Sequence, residues 1–77
     1  MTREVKLMLV LEEYHSRMFV VDSQADLDYA AIMDNDDGFT TEEVCSKLTA
    51  VTMDKIQKEH EAQKEAIAEI IKIMKED

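Results

Sequence analysis

Apolar and polar residues recur at intervals of three and four along the second half of the chain. No Gly or Pro follows Gly38, and most of the later residues are strong helix formers. Thr40 and Glu43 have the T-x-x-E spacing of a capping box. The pattern predicts one long helix from about Thr41 to about Met74. Such a helix would be about 50 Å long, too long for the rest of a short chain to cover.

One stripe of this predicted helix has the spacing of a coiled-coil seam. It predicts a dimer interface formed by Met53, Ile56, His60, Gln63, Ile67, Ile70 and Met74. The polar residues His60 and Gln63 would fix register and partner number at a cost in stability, unless the middle of the helix is simply solvated. Upstream, Val44 and Leu48 join the stripe only by steps of four, which indicates a bend or a change of partner near residues 49–53.

The first half of the chain favours strands. The apolar run from Val5 to Leu11 alternates in the way of a buried strand, residues 12–16 form a polar turn, and residues 17–21 would return as a second strand. A helix remains the alternative, although it would be apolar nearly all round at residues 7–11. The residues with helical spacing are Leu7, Leu11, Tyr14, Met18 and Val21.

The middle of the chain is ambiguous. Residues 24–33 fit a short helix that begins at the N-cap pair Ser23 and Asp26, and they equally fit a third strand. The DNDDG sequence at residues 34–38 predicts a loop. We therefore predict a single α+β domain with an N-terminal apolar hairpin or small antiparallel sheet (1–22), an acidic connecting segment (23–39) and a long, dimerising helix (40–77). The alternative fold is an all-α helical hairpin with a coiled coil.

The charge of the chain is strongly negative and unevenly distributed. The net charge is -9 over 77 residues, so we expect no direct contact with nucleic acid or anionic membranes. Between Arg17 and Lys47 there is no basic residue. The acids in this interval are Asp22, Asp26, Asp28, Asp34, Asp36, Asp37, Glu42 and Glu43. They predict a surface that binds a basic partner by offering carboxylates where phosphates would otherwise bind, unless they serve only solubility.

No cluster of residues specifies a reaction, so we expect a protein that is not an enzyme and has no catalytic residue, metal site or cofactor. The DNDDG loop has the acidic composition of an EF-hand, but placing Gly38 at the sixth position puts Met33 at the first ligand position. A single cysteine, Cys45, allows no internal disulfide. With no signal-peptide or membrane-span pattern, the expected location is the cytoplasm.

In size, charge and layout the chain resembles the small acidic host-takeover proteins of bacteriophages. That group includes DNA mimics that bind host HU-type nucleoid proteins. The acids from Asp22 to Glu43 and the dimer-prone helix carry the resemblance. It implies an inhibitor that presents a nucleic-acid-like acidic surface to a basic DNA-binding protein in the host cytoplasm. The second hypothesis is a structural or adaptor coiled-coil dimer whose partner docks on the helix seam.

Overall fold

Two long helices make up almost all of the protein. The computed structural model describes residues 1–35 and 38–76. Helix α1 spans Arg3–Asp34 (32 residues) and helix α2 spans Thr41–Lys75 (35 residues). The helices run antiparallel and pack along their length as a hairpin, with Cα extents of 59 × 15 × 8 Å. Within the described residues no strand is present.

Short polar side chains mark the helix ends. The hydroxyl of Thr2 accepts a hydrogen bond from the backbone N–H of Val5 at 3.2 Å, which satisfies one of the free donors at the start of α1. At the start of α2, Thr40 accepts from the N–H of Glu43 at 3.2 Å. The predicted start of the long helix is therefore confirmed. At the end of α1, the side chain of Asn35 donates to the carbonyl of Ala31 at 2.9 Å.

The prediction of an α+β domain with an N-terminal sheet is wrong. The run from Val5 to Leu11, the supposed turn at 12–16 and the supposed second strand at 17–21 are all parts of α1. Residues 12–16 contain no Gly, Pro or Asn that would end a helix. A lone strand pair of this kind would also lack a third strand to stabilise it. The alternative, an all-α helical hairpin, describes the fold correctly.

The acidic connecting segment is not a separate structural unit. Residues 24–33 are helical, as one of the two alternatives held, but they continue α1 without a break. Asp34, the first residue of the predicted loop, is instead the last residue of α1, and Asn35 caps the helix. Gly38 donates its N–H to the carbonyl of Asn35 at 3.0 Å. Asp36 and Asp37, the centre of the predicted loop, lie outside the described residues.

The two helices meet along one stripe of each. On α1 the stripe contains Leu7, Val10, Tyr14, Met18, Val21, Ala25 and Ile32, and on α2 it contains Val44, Leu48, Val51, Ala62, Ala66, Ile70 and Ile73. Among the described residues only Ala25, Ala62 and Ile73 are buried, and each keeps a few per cent of its surface exposed. Because two of these three are alanines, the helix axes can approach closely at the contact. The core is therefore a single thin seam between two helices.

Polar contacts across the seam define the antiparallel register. Lys6 Nζ lies 2.8 Å from a carboxylate oxygen of Glu76, and Arg17 pairs with Glu65 further along. Nearer the turn, the hydroxyls of Tyr29 and Thr52 share a hydrogen bond. Residue numbers thus rise along α1 as they fall along α2, and the two chain ends meet at the open end of the hairpin.

The hairpin exposes far more surface than a compact protein of its size. Its accessible surface is 6029 Å², whereas a compact monomer of 8.9 kDa exposes about 4,800 Å². Its radius of gyration is 17.6 Å, against about 11.5 Å for a globular chain of this length. Much of the extra surface is apolar, because large side chains such as Phe19 and Leu27 point into solvent. Hydrophobic residues make up 45% of the chain, and the packing of two helices leaves many of their side chains exposed.

Candidate interaction surface

Ion pairs line one side of the hairpin. Lys6 with Glu76 and Arg17 with Glu65 bridge the two helices there, and all four side chains are partly exposed at the edge of the seam. Hydrogen bonding to Lys6 holds the pKa of Glu76 below its ordinary value of 4.5. Exposed pairs of this kind contribute little to stability individually. They mark this side as polar and solvated.

The opposite side of the hairpin carries large apolar residues on both helices, with polar residues such as His15 between them. Each of the four ion-pairing residues has a large apolar residue two positions away in sequence, which lies about 200° around the helix axis. Those apolar residues are Met8, Phe19, Ile67 and Met74. Leu11 lies three residues from Met8, and Ile56 lies eleven residues from Ile67. At about 100° per residue, both spacings bring the side chain back to the same side of its helix. We call these six residues the apolar face. Their exposed fractions range from 45% to 73%.

The predicted dimer seam lies partly on this face, and all of its residues except Ile70 are exposed in the hairpin. Three of its seven residues, Ile56, Ile67 and Met74, belong to the apolar face. His60 and Gln63 are exposed beside them, Met53 is exposed next to Ile56, and Ile70 is half-buried against α1. The structure therefore leaves six of the seven side chains exposed.

Sequence reasoning missed the contribution of α1 to this face. The sequence pattern places Met8, Leu11 and Phe19 in strands that have a buried side, and it predicts no dimer contact for them. The available signal was the apolar character of residues 7–11 all around a helix, since only one side of such a helix can pack on α2. Apolar residues on the other sides of the helix indicate that α1 packs on a second partner besides α2.

Six of the eight acids predicted to bind a partner are described by the structure, and these six fall in the half of the hairpin nearest the turn. Asp22 lies 3.9 Å from Lys55 Nζ, too far for a hydrogen bond but close enough for an ion pair. Asp28 accepts a hydrogen bond from Gln24 at 3.0 Å and faces Lys58. Two of the acids are thus partly neutralised by α2.

The remaining described acids of this group carry no such partner. Asp26, Asp34, Glu42 and Glu43 are exposed and form no ion pair within residues 1–35 and 38–76. The nearby Lys47 instead lies over the ring of Phe39, 4.8 Å from its centroid. Asp36 and Asp37 lie outside the described residues. We call these four unpaired acids the acidic end of the hairpin. It contains fewer carboxylates than the predicted surface.

The charge of the chain is concentrated at the turn end. Residues 18–63 contain eleven acids and three lysines, a net charge of -8. Within this half, Lys58 forms an ion pair with Asp54 at 2.9 Å, and its hydrogen bond to that carboxylate raises its pKa above the ordinary 10.5. The open end, which holds the other six basic residues, is nearly neutral. The hairpin is electrically asymmetric along its length.

The described residues offer little for chemistry. No three His, Cys, Asp or Glu side chains among them are grouped so that they could hold a metal ion. Cys45 is exposed. Neither helix, as far as it is described, carries an apolar segment that could cross a membrane. The surface features that distinguish this molecule are the apolar face and the acidic end.

The fold is that of an elongated antiparallel two-helix hairpin. Comparisons with protein-family models, with curated proteins and with solved structures found no match for the chain. The function is therefore inferred from the two surfaces alone.

Proposed function

We propose that this chain is a non-enzymatic interaction protein that serves as a structural or adaptor element through its apolar face. The observation that supports this proposal is the exposure of six large apolar side chains, three from each helix, on one side of the hairpin. Single exposed apolar residues are ordinary on protein surfaces, but a group of large ones on one side of a molecule is typical of an interaction site. A partner that covers the face would complete the core that two helices leave open.

Magnitudes favour the apolar face over the acidic end as the source of affinity. Covering about 400 Å² of apolar surface would contribute about 10 kcal/mol before the costs of association are subtracted. An exposed carboxylate in an ion pair contributes only about 0–1 kcal/mol, and salt screens it. Asp26, Asp34 and the other free acids are therefore better suited to steering encounter and choosing a partner than to holding it.

The second candidate function is an inhibitor that presents the acidic end to a basic, nucleic-acid-binding protein, such as an HU-type protein. The net charge of -8 over residues 18–63 favours it. The pairing of Asp22 with Lys55 and the proximity of Asp28 to Lys58 shorten the carboxylate array that could imitate phosphates. For either candidate we propose a cytoplasmic location, because a single cysteine is typical of proteins from reducing compartments.

Capture experiments with matched variants distinguish the two candidates. Ile67→Lys places a charge on the apolar face, and Ala68→Lys places the same charge at the next exposed position, towards the ion-paired side. A third variant neutralises Asp34, Glu42 and Glu43 as Asn and Gln. Each is immobilised and exposed to lysate of the cell that produces the protein, then washed at low and at raised salt.

The proposed function predicts that Ile67→Lys loses the captured proteins, while Ala68→Lys and the neutralised variant retain them even after the washes with salt. The inhibitor candidate predicts that the neutralised variant loses them, that salt elutes them and that Ile67→Lys retains them. If Ile67→Lys captures the same proteins as the wild type, the result would contradict the proposed function.

A further inference from the structure

We propose that the occupant of the apolar face is a second copy of this chain, and that the two hairpins pack antiparallel as a four-helix bundle. This inference rests on the proposed function because it uses the same face, and it names the partner. In the bundle the open ends of the hairpins overlap, and the acidic turns point outward at opposite ends.

The amount of uncovered surface fits a dimer. The hairpin exposes 6029 Å², about 1,200 Å² more than a compact monomer of its mass. A standard protein interface removes about 800 Å² from each partner. One copy docked on the apolar face would thus remove most of the excess. The result is a four-helix bundle, a fold in which each helix packs on two neighbours.

The layout of the face suits a two-fold axis. Four of its six residues, Met8, Leu11, Ile67 and Met74, lie in the half of the hairpin away from the turn, and Phe19 lies at the boundary between the halves. A two-fold interface uses the same patch on both copies, so a patch drawn from both helices can contact itself. An axis that passes near Ile67 would place the apolar halves on each other and leave the turns outside the overlap.

Charge selects the antiparallel arrangement. A parallel dimer would place two turn halves side by side, each with a net charge of -8 over residues 18–63. Like charges that face each other along an interface oppose association. In the antiparallel dimer with its axis near Ile67, the nearly neutral open ends meet and the acidic turns are separated by more than a hairpin length. In physiological salt, repulsion between exposed charges decays over about 8 Å, so turns this far apart do not repel measurably.

The native cysteine provides a direct test of the arrangement. Cys45 is exposed near the turn end of α2 and can carry a nitroxide spin label without any substitution. At about 1.5 Å per residue, the antiparallel dimer separates the two labels by about 40 Å if the hairpins overlap fully and by about 65 Å if the axis lies near Ile67. A parallel dimer would hold them within about 25 Å, the width of a four-helix bundle.

Electron–electron double resonance on the labelled wild type measures the distance between the two labels, and sedimentation equilibrium gives the mass of the assembly. Both use the protein at about 100 µM, a concentration that populates dimers of micromolar Kd. We expect a dimer with a label separation of about 40–65 Å. Ile67→Lys should halve the mass and Ala68→Lys should leave it unchanged, with helix content followed by circular dichroism. If the Ile67→Lys variant is unfolded, the label separation in the wild type still tests the antiparallel dimer.

A wild type that stays monomeric at this concentration would overturn the inference, and a separation below about 25 Å would overturn the antiparallel arrangement. Failure of the inference differs from failure of the proposed function. A monomer that still captures proteins through Ile67 would refute only the second copy. Capture that is indifferent to Ile67 would refute the proposed function itself.

Discussion

Replacing Ile73 with Ala is expected to lower the free energy of unfolding by about 2–4 kcal/mol, the usual range for a buried Ile or Leu truncated to Ala. Ile73 is 6% exposed and is the largest of the three buried side chains in the described chain. It fixes the end of α2 against the start of α1, where the hairpin has no loop to hold it together. A hairpin with so thin a core has little stability to lose.

Ile71→Ala is the matched control, because Ile71 is the same residue type two positions away and is 48% exposed. We expect it to lose less than about 1 kcal/mol. Chemical denaturation of both variants at one protein concentration measures the difference, since self-association would make apparent stability depend on concentration. Equal losses would show that Ile73 is not packed against α1.

Replacing Ala62 with Leu is expected to cost about 1–3 kcal/mol, because the larger side chain would force the two helices apart. Ala62 is 2% exposed, the lowest value among the buried residues of the described chain. Leucine is nearly as good a helix former as alanine, so helix propensity changes little. The loss would therefore report the close approach of α1 and α2.

Ala68→Leu provides the control for this substitution, since it makes the same change on the same helix at an exposed position. We expect its melting temperature to stay within about 2 °C of the wild type, whereas Ala62→Leu should lower it by about 5 °C or more. Thermal unfolding followed by circular dichroism measures both. An Ala62→Leu variant that melts at or above the wild-type temperature would contradict the packing of the helices at Ala62.

The long helix could be predicted because its signals are local. Thr40 caps its first turn, no helix breaker follows Gly38, and strong helix formers fill the remainder. The N-terminal half was predicted wrongly because an apolar run can be a buried strand or a helix buried on more than one side. In this chain α2 provides a helix for one side of α1 to pack on, while no other strand exists among the described residues to pair with residues 5–11.

The candidate face could be predicted only in part, because α2 carries two apolar stripes. The stripe through Ile56 and Ile67 stood out, since its residues are large and keep heptad spacing. The stripe that packs on α1 passes through Ala62 and Ile73 and contains alanines and half-buried polar residues such as Lys55. Periodicity shows that a helix has an apolar stripe, but it does not show which stripe meets which partner. That assignment depends on the register of the hairpin.

Solvent accessibility of the methionine methyl groups tests most directly whether the apolar face is covered in solution. Met8 and Met74 lie on the face and are 59% and 54% exposed in the isolated hairpin, while Met53, in the half nearest the turn and outside the proposed overlap of the two copies, is 67% exposed. The measurement is the broadening of ¹³C-methyl methionine signals by a soluble paramagnetic agent in the purified wild type. We predict that Met8 and Met74 are strongly protected while Met53 is broadened. Equal broadening of all three signals would show that the face is open to solvent and would contradict its role as an interface between copies.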